Sequence, residues 1–286
     1  AKTRSFKRWL SHQYYKTMGK APGAQALQDA CSVLEGQALF ESEEYPVYTR
    51  IAGDDTTIYL DLANENWEAV RIDKDGWKVV KPPVRFRRPK GMAAIPAPAP
   101  GDLEDLKCYV NVKEDNWNML IAWLLQAVRA QGPYPILILH GEQGAAKSTT
   151  AKVLKELIDP NIAELRSGPR ETRDLMIAAT NSWCVSFDNL SHLTDWFSDC
   201  LCRLSTGGGF ATRTLFSDDE ETIFQTQRPV VLNGIEDIAT RGDLIDRSIV
   251  LYLPQIEDES RMSETEFFAR FNRNRSTILG ALLQII

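Results

Sequence analysis

The hydrophobic positions change their period along the chain, and each change predicts a different element. Apolar residues recur at helical spacing from Gln25 to Phe40. Short alternating runs follow at 47–51, 57–62, 69–72 and 77–80, separated by Asp- and Gly-containing stretches that are typical of hairpin turns. We therefore predict that residues 1–90 form a small α+β accessory domain, in which a helix precedes an antiparallel sheet.

A proline-rich segment separates this region from the rest of the chain. Gly91 to Gly101 reads GMAAIPAPAPG, a composition that sustains neither a helix nor a central strand. We interpret residues 91–102 as a Pro/Ala-rich linker or an extended surface strap.

Beyond that segment, the pattern is typical of an α/β domain. Trp117 to Ala130 predicts an apolar helix, and from Ile136 onward short apolar strands alternate with helices. This alternation is typical of a parallel sheet between two helical layers. We therefore predict that residues 103–286 form a three-layer α/β domain that ends in a helical lid, Glu264 to Ile286.

A small-residue loop follows the first predicted strand and resembles a P-loop. It comprises Gly141, Glu142, Gln143, Gly144, Ala145, Ala146, Lys147, Ser148 and Thr149. In a P-loop, backbone N–H groups surround the phosphates, the lysine contacts the β and γ oxygens, and the hydroxyl binds magnesium. Ala146 replaces the usual glycine, so we expect a negative φ there or a slight relaxation of the loop. An ordinary small-residue turn is the alternative for this motif alone.

Two later strands end in polar residues that would complete a site for ATP and Mg²⁺. The first ends at Asp188, where a carboxylate can organise the metal together with Ser148. The second ends at Asn233, whose amide is suited to positioning the γ-phosphate or the attacking water. A single Asp at a strand end is usually a turn former, but its combination with the loop favours the metal site.

An arginine stands just before the last predicted core strand. Arg247 follows Asp243 and Asp246, and the strand 248–253 comes next. This position suits an arginine finger that reaches the nucleotide of a neighbouring subunit, with Arg241 as the second candidate. The structural alternative for Arg247 is an ion pair with Asp243 or Asp246.

Taken in order, these motifs resemble those of the AAA+ ATPases. They are most similar to the superfamily 3-like helicase modules of phage and mobile-element primase–helicases, through the segments DNLS (188–191), LSTGGGFATR (204–213) and LNGI (232–235). The resemblance implies ATP bound between the subunits of a hexameric or similar ring, and a central hairpin that grips DNA.

One residue departs from that family pattern and leaves the catalytic base open. Asn189 stands where ring ATPases commonly place a glutamate that activates water. An amide orients water but cannot accept its proton. Glu142 and Glu171 are candidates for the base on position alone.

Residues 207–225 fit a channel hairpin, with a glycine-rich entry and a turn at 217–219. Within it, Arg213, Thr212 and Thr214 are the candidate phosphate contacts, and an ordinary surface hairpin is the alternative. A second basic cluster either binds a nucleic-acid backbone or is a solvent-exposed, flexible connection to the linker. It comprises Lys81, Arg85, Arg87, Arg88 and Lys90.

Composition narrows the class of protein. A hydrophobic fraction of 43% and a charged fraction of 25% are ordinary for a globular chain, and the longest apolar run is too short for a membrane span. A net charge of −6 excludes a broadly basic nucleic-acid surface. Five scattered cysteines and no signal-peptide pattern favour the cytoplasm of a bacterial or phage-infected cell. Cys200 and Cys202, the only close pair, are better explained as buried apolar residues than as metal ligands.

The predicted function is therefore that of an ATP-dependent nucleic-acid motor. We expect a replicative helicase of a phage or mobile element that hydrolyses ATP at the subunit interfaces of a homo-oligomeric ring and acts on single-stranded or forked DNA. One alternative is an ATPase switch or loader that remodels a protein–DNA complex without unwinding. The other alternative is a P-loop small-molecule kinase, which would need an acceptor pocket and an arginine-rich lid within one subunit.

Overall fold

The chain divides into two units, residues 1–46 and 47–286. The computed structural model describes residues 4–213, 221–224, 226–234, 238, 241–257, 259 and 261–286, with the backbone alone at 5, 210–213 and 221–224. The first unit contains two helices, α1 (Arg4–Met18) and α2 (Ala24–Phe40), which contact each other. The helix predicted from Gln25 to Phe40 is confirmed as α2.

The second unit begins with short strands. Val47–Tyr48 (β1) pairs in parallel with Arg85–Phe86 (β6). Between them lies an antiparallel sheet whose strands follow one another in chain order: β2 (Ile51–Gly53), β3 (Thr57–Asp61), β4 (Ala69–Asp73) and β5 (Gly76–Val80). The predicted antiparallel sheet is thus confirmed.

This small sheet shares its hydrophobic core with the remainder of the second unit. Leu60, Val70 and Ile72 belong to the same buried cluster as residues of the later helices and strands. The division of the chain therefore falls at 46/47 rather than near the predicted boundary at residue 90, because the apolar face of the sheet is buried against downstream elements.

The proline-rich segment is an extended strap that follows this core. Ala93 N–H donates to Pro160 O at 3.0 Å, Ile95 N–H to Leu62 O at 2.9 Å, and Ala99 N–H to Ser276 O at 3.0 Å. The Ile95 side chain is buried in the core cluster. Of the two interpretations of residues 91–102, the strap is the one that matches these contacts.

A four-stranded parallel sheet forms the centre of the second unit. Its order is β12-β7-β11-β8, formed by Ser248–Tyr252 (β12), Ile136–His140 (β7), Val230–Gly234 (β11) and Val185–Leu190 (β8). Successive residues of β7 enter two different clusters: Leu137 and Leu139 face one core, while Ile136 and Ile138 face the other. This alternation follows from the two-residue period of a strand and requires helices on both faces.

Helices cover both faces of this sheet. One core includes side chains from α3 (Glu114–Val128), α4 (Lys147–Ile158) and α8 (Glu264–Leu283). The other includes side chains from α5 (Thr172–Asn181), α6 (Asp195–Thr206) and the short α7 (Gly242–Ile245). The α/β class with a parallel sheet is therefore confirmed. None of the described helices is long and apolar enough to cross a lipid bilayer.

A buried ion cluster ties the small sheet to the central domain. Arg50 Nε lies 3.0 Å from Asp159 Oδ1, and Lys155 Nζ lies 3.4 Å from Asp159 Oδ2. Burial alone would raise the pKa of Asp159, but Lys155 and Arg50 outweigh it and hold that pKa below its usual value. The carboxylate also accepts the N–H groups of Trp183 and Cys184, at 2.8 and 3.0 Å, so all of its neighbours favour the charged form.

Candidate functional site

A cavity of about 560 Å³ opens at the carboxyl edge of the central sheet, within the size range of small-ligand sites. It lies between the loop after β7, the end of β8 and the end of β11. Its lining contains most of the residues that the sequence motifs single out: Gln143, Gly144, Ala145, Ala146, Lys147, Ser148, Thr149, Asp188, Asn189, Asn233 and Gly234.

Ala146, the last residue of the loop before α4, has a left-handed backbone conformation. Ala146 has φ 56° and ψ 31° and is the residue immediately before the helix. The expectation of a negative φ at this position is therefore wrong. The chain must turn from the strand into the helix here, and Ala146 adopts the conformation that glycine adopts without steric cost.

Lys147 is folded back onto its own loop. Its Nζ donates to Gly141 O at 2.7 Å and to Glu142 O at 2.9 Å. Burial lowers the pKa of Lys147 more than the attraction of Asp188 raises it. The ammonium is thus held by two carbonyls of its own loop, on a flexible stem that lets it turn towards the cavity.

Ser148 and Asp188 form the closest side-chain pair of the site. Ser148 Oγ donates to Asp188 Oδ1 at 2.7 Å, across a sequence separation of 40 residues. The hydroxyl lies on the first turn of α4, while the carboxylate lies near the end of β8. A hydroxyl and a carboxylate oxygen at this distance are the ligand types that Mg²⁺ prefers.

Asn233 is buried, yet half of its amide has no hydrogen-bond partner. Its side chain is 1% exposed, and Oδ1 accepts the N–H of Asn189 at 2.9 Å. Nδ2 has no partner among the described residues. Asn189 has φ 54°, a left-handed conformation that asparagine tolerates well. Oδ1 is thus held by the backbone of β8, and Nδ2 is a buried donor without a partner on a residue that lines the cavity.

A second cavity of about 640 Å³ adjoins the first and shares Gly144, Ala146, Ser148, Thr149 and Asp188 with it. Its other side is more apolar and includes residues at the start of α8 and in the segment before it. These further lining residues are Cys108, Lys152, Leu165, Ile256, Arg261, Met262, Glu264 and Phe267. The two cavities together offer a polar part beside the loop and a more apolar part beside α8.

The predicted finger, Arg247, lies at the other edge of the sheet. Its carbonyl accepts the N–H of Ile136, the first residue of β7, whereas the loop follows the last residue of that strand. A five-residue strand separates these two levels by about 16 Å. The exposed Arg247 donates from Nη1 to the backbone carbonyl of Asp243 at 2.6 Å. It therefore cannot reach the cavity of its own chain from this position.

The second arginine candidate is held by acidic side chains. Arg241 lies 3.0 Å from a carboxylate oxygen of Asp199, 3.4 Å from one of Asp243 and 3.5 Å from one of Asp195. Asp199 makes the largest contribution to a raised Arg241 pKa. Arg241 is thus the more strongly engaged of the two arginines.

Neither candidate for the catalytic base lines the first cavity. Glu142 and Glu171 are both exposed, and Glu171 directly precedes α5. Cys200 and Cys202 lie on α6 and are buried in the core, as expected for small apolar residues.

The predicted hairpin forms. Phe210–Arg213 (β9) pairs antiparallel with Glu221–Phe224 (β10), placing Arg213 opposite Glu221 and Thr212 opposite Thr222. Thr214 lies outside the described residues. The hairpin prediction is confirmed for the backbone, and the phosphate-binding role of its side chains stays a prediction.

The basic cluster at 81–90 is partly structural. Arg88 forms a two-pronged pair with the buried Asp61, at 2.9 and 2.6 Å, and stacks over Trp67 at 3.9 Å. Arg87 donates to the carbonyl of Thr180 and Lys81 to that of Asn66. Arg88 therefore has a structural role, whereas Lys81 and Arg87 are exposed and the binding of a nucleic-acid backbone by the cluster stays a prediction. Arg88 and Arg50 are structural cations that sequence reasoning missed, since their partners are distant along the chain.

Comparison with known proteins identifies the family. Residues 103–286 match the family described as the actinomycete integrative conjugative element replication protein. The chain belongs to this family. The match confirms the predicted resemblance to replication modules of mobile elements. No curated protein matches the sequence.

Solved structures show the same fold at low sequence identity. The A form apo structure of the NrS-1 C-terminal region is 14% identical, with a TM-score of 0.55 and coverage of 98% of this chain. Another apo structure of that region is 13% identical, with a TM-score of 0.52 and coverage of 97%. The chain spans 60% of the length of each. These similarities establish a shared fold and nothing about activity.

Proposed function

We propose that this replication-family protein is an ATPase that uses the loop 141–149 as a P-loop. The observation that carries the proposal is the convergence of three groups on one cavity: the Ser148–Asp188 pair, the Lys147 ammonium and the unpartnered Nδ2 of Asn233. Two polar oxygens, a cation and a buried donor beside a helix N-terminus match the needs of a nucleotide phosphate with its metal.

The residues present fit magnesium. Ser148 Oγ and Asp188 Oδ1 are hard oxygen ligands, and Mg²⁺ is usually held by one or two such groups together with water and phosphate oxygens. When bound, the metal would supply Lewis-acid stabilisation of charge on the phosphate oxygens. Lys147 would leave its loop carbonyls and pair with the β and γ oxygens.

Asn233 and Asn189 act in this proposal as orienting groups. Nδ2 of Asn233 would donate to the γ-phosphate or to the attacking water, which would also satisfy the unpartnered donor. Asn189 would help to orient the water. Phosphoryl transfer passes through a loose transition state in most analyses, so positioning and charge stabilisation contribute more than a strong base. This supports hydrolysis despite the absence of a carboxylate at position 189.

The position of Arg247 supports a site shared between subunits. It lies at the amino edge of the sheet, while the cavity opens at the carboxyl edge of the same sheet. One chain therefore offers an arginine on one edge and a nucleotide pocket on the other, which suits a head-to-tail ring. In that arrangement Arg247 would stabilise charge at the neighbouring nucleotide.

We extend the proposal to DNA on the basis of the family and the hairpin. A replication protein that hydrolyses ATP in a ring is suited to translocation along a strand, with the β9–β10 hairpin and Arg213 as the contact. The N-terminal end of α8 borders the second cavity, so we assign it the role of a lid over the nucleotide base.

The test combines two assays on the wild type and on Lys147→Ala. Phosphate release is measured with and without single-stranded DNA, and strand displacement is measured on a forked duplex. We expect DNA-stimulated hydrolysis and displacement in the wild type and neither in Lys147→Ala. Near-normal hydrolysis in Lys147→Ala would refute the site. Hydrolysis without displacement would replace the motor by a loader that remodels a protein–DNA complex.

A further inference from the structure

Helix α1 has an exposed face that carries cations and aromatic rings and no acid. At 100° per residue, Arg4, Arg8, His12, Tyr15 and Lys16 fall on one side of the helix, together with Trp9. All six side chains are exposed, with Trp9 at 54% and Tyr15 at 57%. None of the ion pairs found between described residues involves Arg4, Arg8 or Lys16.

The other side of α1 is occupied by its neighbour helix. Phe6, Leu10 and Gln13 are partly buried there, and Lys7 Nζ lies 3.4 Å from Gln28 Oε1 of α2. The folding of the helical pair therefore accounts for this side of α1. It does not account for two large aromatic rings that stay more than half exposed: Tyr15, and Trp9, whose ring touches that of Phe6 along one side.

We infer that this face of α1 binds a single-stranded polynucleotide. Alternating cations and rings match the two parts of such a ligand, because the cations contact phosphates and the rings stack on unpaired bases. The fifteen-residue helix is about 22 Å long, enough for several nucleotides. The protein as a whole has a net charge of −6, so a local basic face is a specific feature and not a reflection of composition.

A membrane surface is the competing ligand, and the arrangement of side chains disfavours it. A helix that lies in a bilayer interface separates its cations from its apolar residues, which it buries among the lipids. In α1, the rings Trp9 and Tyr15 share a face with the cations, while Phe6 and Leu10 lie on the side that packs within the protein.

The test measures binding of a fluorescent 20-nucleotide deoxythymidylate in the absence of nucleotide, in an Arg213→Ala background. That background removes the proposed hairpin contact, so the result does not depend on the proposed ATPase. We expect Trp9→Ala/Tyr15→Ala to weaken binding at least about 10-fold, since each stacked base contributes strongly. The matched control is Val33→Ala/Phe40→Ala, which removes two exposed apolar side chains from α2.

A second pair of variants tests the cations through salt. Arg8→Gln/Lys16→Gln should make the slope of log affinity against log salt shallower by about 1.4, which is about 0.7 for each lost phosphate contact. Lys74→Gln/Lys78→Gln removes two exposed charges elsewhere and should leave the slope unchanged. Circular dichroism verifies that every variant retains its helices, and a ribo-oligomer of equal length decides between RNA and DNA.

Two outcomes would overturn the inference. One is equal affinity and equal salt slope in all folded variants. The other is cosedimentation of the wild type with vesicles containing anionic lipid, lost in Trp9→Ala/Tyr15→Ala while oligonucleotide binding is unchanged; that result would assign α1 to a membrane surface.

Discussion

Replacing Ala146 by glycine should stabilise the protein, although most alanine-to-glycine changes destabilise. Ala146 has φ 56° at the start of α4, in the left-handed region. A residue with a Cβ pays roughly 1–2 kcal/mol there. Glycine avoids that strain, but it costs about 0.4–1 kcal/mol through the greater freedom of the unfolded chain. The balance is a gain of about 0.5–1 kcal/mol in the free energy of unfolding.

The preceding residue provides a matched control with the opposite sign. Ala145 is 1% exposed and is not among the residues with positive φ. Ala145→Gly removes a buried methyl group, worth about 0.8 kcal/mol, and adds the same unfolded-state cost. We therefore expect Ala145→Gly to destabilise by about 1–2 kcal/mol.

The assay is thermal and urea-induced unfolding of both variants beside the wild type. The two should differ by about 2 kcal/mol, which corresponds to roughly 4–8 °C in Tm for a domain of this size. If Ala146→Gly lowers Tm as much as Ala145→Gly does, the left-handed strain at position 146 does not exist in the folded protein.

Three further predictions concern the site and its support. Asn233→Asp keeps the acceptor for the Asn189 N–H but replaces the buried donor by an acidic oxygen, so phosphate release should fall at least about 10²-fold and thermal stability should fall as well; normal turnover would exclude a role for Nδ2. Arg247→Ala and Asp188→Ala should each hydrolyse poorly, but a mixture should regain activity at interfaces that keep one intact copy of each; a flat titration of co-assembled variants would contradict action between subunits. Asp159→Asn should cost about 3–5 kcal/mol because it leaves two buried cations unpaired. Because the folded pKa of Asp159 is lowered, its ionised form stabilises the folded protein fully above about pH 4, and this contribution is lost as the pH falls through the folded pKa. Urea midpoints measured between pH 7 and 3 should show this loss in the wild type and not in the variant.

The sequence predicted the parts of the site that depend on local order. A buried strand followed by small residues and a helix specifies the loop before Lys147, and strand ends at Asp188 and Asn233 meet at one edge because parallel strands share their direction. The pairing of β9 with β10 was likewise predictable, since glycines precede the first of two runs able to form strands and a polar stretch separates the two runs.

Features that depend on distant partners could not be predicted in the same way. The buried Arg50 is paired with Asp159, 109 residues away, and nothing near Arg50 in the sequence distinguishes it from a surface arginine. The bond between Asn189 and Asn233 requires the left-handed backbone of Asn189, which no periodicity reports. The separation of Arg247 from the cavity of its own chain likewise follows from the order of strands in the sheet, which the order of motifs along the sequence does not give.

The strap that joins the small sheet to α8 has a consequence for where the protein can be shortened. Trp77 Nε1 donates to Gly280 O at 3.0 Å, and a Cβ at Gly280 would lie only 1.9 Å from Ala99 O. Strap, sheet and final helix therefore interlock at van der Waals distance, although the family match begins only at residue 103.

A protein cut at residue 103 would thus retain the whole stretch that matches the family and still lose part of its hydrophobic core. The cut would remove Leu60, Val70, Ile72 and Ile95, and the apolar surface that they cover in the shared core would face water. A cut before residue 47 leaves these four side chains in the protein. The stretch of chain that builds this core is therefore longer than the stretch that matches the family, because the core includes residues that precede residue 103.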